Sequence, residues 1–351
     1  MSLQPTADQR DLRAAVAAFL ASHCGEAVVR KAEPLGVDTA LWARCSGMGL
    51  PGLTVAVEQG GSGAGFVEAA IAAELMGRHL APVPFVEVTS AVSVLAEFAA
   101  VTAAGEALRS TLAGALVPTV CLHPVTAGTA PIVPAGAVAD VVIALRDDQL
   151  VLARSAPGVR GEALVPNLGA MPLVRWDLTQ ADAVVLASGA QARSAFARLR
   201  GRWQALTAVA LIGLGLRAIE IALEYTRQRK AFGTPIATFQ TVQHRLADDA
   251  TALEGGRLLA YEAAWAQTAD PDRADVLGAS AFLFASEAAI RTTDACLHFH
   301  GGYGFTLEYA IQLYFRRARA WSQVFGDRRT EYVRLARLLF DDDKRGAHGL
   351  S

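Results

Sequence analysis

Residues able to do chemistry concentrate in two stretches. In the first, 225–249, a long apolar segment ends in Arg227, Arg229 and Lys230. Phe232-Gly233-Thr234-Pro235 then break the helix, and a second helix starts near Gln240. That order predicts two antiparallel helices joined by a charged, exposed corner. The second stretch is His298-Phe299-His300-Gly301-Gly302-Tyr303-Gly304. Each feature also has a plain structural reading. Cations at a helix C-terminus are favoured by the dipole whatever they bind, and paired glycines can be an ordinary turn. His298 and His300 lie two apart, but no carboxylate or cysteine set accompanies them, so no metal is expected. Glu220 and Glu224, one turn apart, read as a solvated helix face.

The elements that must position these groups fall into three regions. Residues 1–112 read as helical: apolar periodicity over 7–30, 38–48 and 66–78, then helix through 86–112. Between 113 and 187 valines, prolines and short alternating runs take over. Val141–Leu145 and Leu150–Ala153 read as a hairpin turning on Asp147-Asp148, with further strands at Val174–Leu178 and Ala183–Leu186. From 188 to 351 the chain is helical again. One segment, 191–230, could reach some 50 Å at about 1.5 Å per residue; helices follow near 240–267, 275–299, 307–323 and 328–341. The expected fold is mainly α: an N-terminal helical domain, a small β-barrel or sandwich-like domain, and a C-terminal antiparallel four-helix bundle.

Composition narrows the function. A formal net charge of −2 implies no broad basic surface, so nucleic acid is not an expected partner. Cys24, Cys45, Cys121 and Cys296 are scattered without a paired spacing and read as buried apolar groups in a reducing cytoplasm. The polar N-terminal residues are unlike a signal peptide. The longest apolar run, Ala205–Leu216, is short of the roughly 20 residues of a spanning helix, so no membrane is expected.

The order of helices, β region and bundle, with Arg229-Lys230-Ala231-Phe232-Gly233 and then Gln240, resembles the acyl-CoA dehydrogenase family. So do His300-Gly301-Gly302-Tyr303-Gly304-Phe305-Thr306, with Glu308-Tyr309, and Gly49-Leu50-Pro51-Gly52-Leu53 through Glu58-Gln59-Gly60-Gly61 to Glu74-Leu75-Met76-Gly77-Arg78. The resemblance covers nearly the whole chain and implies FAD as cofactor and an acyl-CoA thioester as substrate. It also implies an electron-transferring flavoprotein as acceptor and an oligomer, dimer or tetramer. Arg229 and Phe232 would reach across a subunit interface, Arg229 to the flavin pyrophosphate, where a planar guanidinium suits paired oxygens. Gly301 and Gly302 would let backbone N–H groups approach, and Gln240 would hydrogen-bond the cofactor. His298, His300 and Gly304 would belong to the same corner.

The family's chemistry takes the α-proton of the thioester onto a carboxylate while a hydride leaves the β-carbon. Most members carry a glutamate in the place held here by Gly326; a few carry the base at the start of the long helix, where this chain has Trp203, followed by Gln204. Asp327 is one residue away, rotated by about 100° on a helix or turn. The flavin-ring loop of the β domain is little preserved in Pro124–Ala130. By these departures the chain is similar to the base-lacking subunit of heteromeric actinobacterial dehydrogenases acting on steroid side-chain CoA esters, with complete sites only at the mixed interface. The alternatives are a self-sufficient dehydrogenase using Asp327 or another carboxylate, and a flavin-free scaffold subunit.

Overall fold

The computed structural model describes residues 4–340 except 34, 127, 155–163 and 180. Six helices come first: α1 (Ala7–His23), α2 (Glu26–Ala32), α3 (Thr39–Gly47), α4 (Phe66–Arg78), α5 (Phe85–Glu97) and α6 (Thr102–Leu112). Local chemistry starts several of them. Thr6 and Gln9 form a reciprocal capping box on α1, and Asp38 accepts from the Leu41 N–H at 2.8 Å to cap α3. The expected helix 7–30 is broken by a 69° bend between α1 and α2. Gly25 takes an extended conformation there, and the Cys24 N–H closes the first helix on Leu20 O. Helix 86–112 is likewise two pieces. Phe98–Val101 carry no glycine or proline, so nothing local in the sequence marked that break.

The middle region holds β1 (Pro118–Val120), β2 (Thr129–Val133), β3 (Val141–Arg146), β4 (Gln149–Arg154), β5 (Val174–Asp177) and β6 (Ala183–Ser188). A mixed sheet runs β1-β3-β4-β6, with β1 parallel to β3, and β2 pairs with β5 in a second small sheet. The expected hairpin is β3–β4, with Arg146 opposite Gln149 across Asp147-Asp148. Side chains alternate along β3. Val142 and Ala144 face a local core shared with Trp176 of the second sheet, while Val141, Ile143 and Leu145 join the main core of the molecule. Both faces are therefore buried, which is why this strand is an unbroken apolar run.

The C-terminal region comprises α7 (Gly189–Gln228), a two-strand hairpin β7 (Lys230–Ala231) and β8 (Thr234–Pro235), α8 (Gln240–Ala269), α9 (Pro271–His300), α10 (Ile311–Gln323) and α11 (Arg328–Phe340). A 3-10 turn, Gly301–Phe305, leads out of α9, so helix begins later than the expected 307. The most apolar window of α7 has mean hydropathy 1.9 and passes as a membrane span by length and composition, yet 72% of it is buried inside the protein. It is the core helix, packed by α4, α5, α8, α9 and α10.

Glycine sets the closest crossing. A Cβ on Gly213 would lie 2.0 Å from the Glu74 carbonyl oxygen, and one on Gly77 would lie 1.9 Å from that of Ala210. Beside this crossing the Glu74 carboxylate accepts from Arg13 of α1 at 2.9 Å, and from Arg257 at 3.1 Å and Tyr261 at 2.8 Å on α8. Glu220 is not simply solvated: it pairs with Arg78 of α4 at 2.6 Å and with Arg217 at 2.8 Å.

Burial would raise the Glu74 carboxyl, but its hydrogen bond and ion pair with Arg13, then Arg257 and Tyr261, outweigh that and hold it below the usual carboxylate range. A depressed folded-state value contributes stability that is present above the unfolded value and is lost as pH falls through the folded one. Glu74→Gln should cost about 3 kcal/mol near neutral pH, because it strands two cations. Urea unfolding from neutral to acid pH should show the gap between wild type and variant closing as the pH falls.

Candidate functional site

The corner residues all meet at one end of the bundle. Arg229 caps α7, its N–H on Tyr225 O at 2.8 Å and its own carbonyl accepting from Ile236 at 2.8 Å. Lys230 faces Pro235 and Ala231 faces Thr234 in the hairpin, so Phe232 and Gly233 are the two turn residues, with φ of 52° and 83°. A turn left-handed at both positions matches strand twist, but an aromatic residue there is strained. Phe232 is 98% exposed. A strained aromatic held out into solvent is an outlier of the kind that marks contact with another body. Among the described residues the Arg229 guanidinium has no hydrogen bond or ion pair, and Gln240, the first residue of α8, is exposed beside it.

The glycine stretch joins this end through aromatics. The Tyr225 ring stacks on His300, centroids 4.1 Å apart, Tyr309 closes edge-on at 5.7 Å from His300, and the Tyr225 hydroxyl donates to the His300 carbonyl at 3.4 Å. His300 is buried, its Nδ1 shares a proton with Cys296 O at 2.7 Å, and burial lowers its pKa, so the ring is neutral packing beneath the corner rather than part of its surface. His298 is exposed. Gly304 is packed too: a Cβ would lie 2.9 Å from that of His300. Gly301, with φ 60° and ψ −148°, occupies a region open only to glycine. At Gly302 a Cβ would meet nothing within 4 Å. No group of three His, Cys, Asp or Glu capable of holding a metal occurs among the described residues.

The two positions expected to carry a base are also brought together, but far from the corner. Trp203 is 1% exposed. Its ring lies 5.6 Å from that of Phe325, next to Gly326, and 5.7 Å from Phe282. His123, from the loop after β1, stacks edge-on to Phe325 at 5.3 Å, and burial and then Arg200 keep it neutral. Gln204 does not face solvent: it donates to buried Glu331 of α11 at 2.7 Å, and Glu331 also binds Arg334. Asp327 turns outward, its Oδ1 accepting the Arg329 N–H at 2.9 Å at the start of α11. The carboxylate that does touch this cluster was missed by sequence reading: Glu87 of α5 accepts from Trp203 Nε1 at 3.3 Å. In the β domain Val125 bridges to Arg146, while Ala127 of the expected flavin-ring loop lies outside the described residues.

Residues 6–115 match the acyl-CoA dehydrogenase N-terminal domain, and residues 190–337 the acyl-CoA dehydrogenase C-terminal domain. The chain belongs to the acyl-CoA dehydrogenase family. Its members are oxidoreductases, and the cofactor of the family is FAD. Among relatives, acyl-CoA dehydrogenase IpdE2 of Mycolicibacterium smegmatis is 30% identical over 335 residues, covering 94% of this chain and 98% of its own. The ChsE4–ChsE5 complex from Mycobacterium tuberculosis matches with TM-score 0.84 and 26% identity over 97% of this chain and 99% of that one. The FAD complex of PigA shares the fold, with TM-score 0.80 and 19% identity over 97% of this chain and 99% of that one. Both heteromeric and flavin-bound structures thus occur among chains of this shape.

The two glycines make a clean comparison. Gly301→Ala should lower unfolding stability by about 1–3 kcal/mol, because alanine is strained at that φ and ψ. Gly302→Ala, in open space, should stay within about 0.5 kcal/mol of wild type. Thermal unfolding of the two variants side by side measures the difference.

Proposed function

We propose that this chain is the base-lacking subunit of a heteromeric FAD-linked acyl-CoA dehydrogenase and that its corner completes the flavin site of a partner chain. One observation carries the reading: α7 is a single helix, so Trp203 and Arg229 stand about 39 Å apart along it at about 1.5 Å per residue. The corner and the base positions therefore belong to two different sites. At one end the base positions are held by Trp203 and Gly326, with the rings of Phe282 and Phe325 packed against Trp203 and no carboxylate in the base's place. At the other end an unpaired cation and a protruding aromatic face outward.

The residues of the corner suit the phosphate end of FAD. Arg229 offers a guanidinium with no competing acceptor among the described residues. Gly302 leaves room for a group to lie against the backbone, Gly301 holds the turn that presents it, and Gln240 can add a side-chain amide. Phe232 would insert into the partner. Tyr225, His300 and Tyr309 would orient the corner from beneath. When bound, FAD accepts the hydride from the β-carbon of the acyl-CoA; the α-proton would go to a carboxylate of the partner. Electrons would pass on to an electron-transferring flavoprotein. The working compartment is the cytoplasm, with which four buried, unpaired thiols agree.

Co-expression with a dehydrogenase-like partner and measurement of flavin per complex tests this. The complex should hold flavin that acyl-CoA bleaches, and the isolated chain should not turn over. Arg229→Gln should weaken flavin retention about 10- to 100-fold, the worth of a charged hydrogen bond, with Asp327→Asn indistinguishable from wild type. An isolated chain that oxidises acyl-CoA at ordinary rates would overturn the reading.

A further inference from the structure

A cleft of about 400 Å³ lies between the 54–64 loop, the end of α5, the first half of α7 and the end of α8. Ala56, Glu97 and Thr268 in its walls are exposed, so it opens to solvent. Arg202 of α7 lines it, about 40 Å along that helix from Arg229 at about 1.5 Å per residue. Trp203, the next residue, is turned by about 100° and is not part of its wall. The cleft is thus separate from both the corner and the base positions.

Arg202 has no partner in the fold. It is half-buried, and its guanidinium makes no hydrogen bond or ion pair with a described residue; Nη1 is shut off from water as well. The carboxylate that acts on it is Glu97, which is already held by Arg198, one turn earlier on α7. Two cations face one acid, so one positive charge is left over. Burial lowers the Arg202 pKa and Glu97 restores only part of that. A guanidinium nevertheless stays charged in proteins, so the cost of its unmet donors is not relieved by loss of a proton.

Hydroxyls of the cleft are in a similar state. Thr54 Oγ1 is buried and makes no hydrogen bond. The Thr268 hydroxyl has only a long contact, 3.4 Å, with the Trp265 carbonyl. Gln59 Nε2 and Ser93 Oγ, by contrast, are taken up by main-chain carbonyls of α5. Free donors therefore come from three separate elements: a loop, α7 and α8. A tetrahedral oxyanion accepts from several directions, whereas a carboxylate offers two oxygens in one plane. The volume is more than ten times a water's share of about 30 Å³. It leaves room beside the anion for an organic body against Ala56, Ala64 and Phe66.

We propose that this cleft binds phosphate, free or as the monoester of a small organic molecule, with Arg202 as its charge partner and Thr54 and Thr268 as further donors. The site stands independently of the dehydrogenase reading.

Calorimetric titration of the full-length chain at constant ionic strength tests it. Inorganic phosphate should give saturable heat, and acetate and chloride should not. Arg202→Met should weaken phosphate about 10- to 100-fold, and Thr54→Val about 2- to 10-fold. Glu97→Gln removes a repelling carboxylate from the wall and should tighten phosphate about 2- to 5-fold. Arg229→Gln should leave it unchanged. Phosphate should raise the melting temperature of wild type but not of Arg202→Met. Without phosphate that variant should melt no lower than wild type, because an unpaired buried charge is gone. Phenyl phosphate binding more tightly than phosphate assigns the site to a monoester; no gain assigns it to the free ion. Thr54→Val and Glu97→Gln, with their opposite signs, decide the matter if Arg202→Met does not fold. No saturable heat, an equal response to acetate, or unchanged affinity in folded Arg202→Met overturns the proposal. So does loss of binding in Arg229→Gln alone, which would place the anion at the corner.

Discussion

Burial of the central stretch of α7, residues 203–215, on every side is the constraint on which the rest of the molecule depends. A helical stretch apolar around its whole circumference has no face for water, so helices from both ends of the chain wrap it. Gly77 and Gly213 let α4 approach until main chain meets main chain. Once that crossing is made, Glu74 falls within reach of Arg13, Arg257 and Tyr261. The glycine crossing and the charge cluster are thus one device: removing Cβ atoms brings the helices close, and closeness makes buried charges affordable by pairing them.

Rigidity of the same helix divides the molecule into two ends with opposite electrostatic character. Around Trp203 the arginines are drawn inward. Arg200 lies 4.9 Å from the Phe325 ring centre and pairs with Glu331 at 3.4 Å, and Arg334 binds Glu331. At the Arg229 end Arg227, Arg229 and Lys230 are exposed and make no ion pair with a described residue, next to a turn whose aromatic residue is strained. Stability alone accounts for the first end. It does not account for the second, where an unpaired cation and an exposed ring bring the isolated fold little and a bound partner could bring a good deal.

Arginines in the interior extend the same contrast. Arg200 and Arg334 are matched with Glu331, whereas Arg317 makes no ion pair with a described residue and lines a mostly apolar cavity.

The sequence by itself determined the corner, the core helix, the β3–β4 hairpin and the absence of a carboxylate at Trp203 and Gly326. These follow from local properties: a helix-breaking Phe-Gly-Thr-Pro run, unbroken apolarity, alternation at a turn, and residue identity at a position. Other features belonged to the tertiary structure alone. The breaks at Cys24-Gly25 and Phe98–Val101, the strands β1 and β2, and the pairing of Glu220 with Arg78 arise from contacts between residues distant in the chain. His300 and Gly304 were expected at the corner, and the structure adds that both are packed there, because the register of a helix end against its neighbours decides which side chains turn inward. Glu87, Thr54 and Arg202 carry no motif. Glu87 meets Trp203, and Thr54 shares a cleft with Arg202, because α4 and α5 pack on α7. A spacing of more than a hundred residues holds no trace of that until the helices are in place.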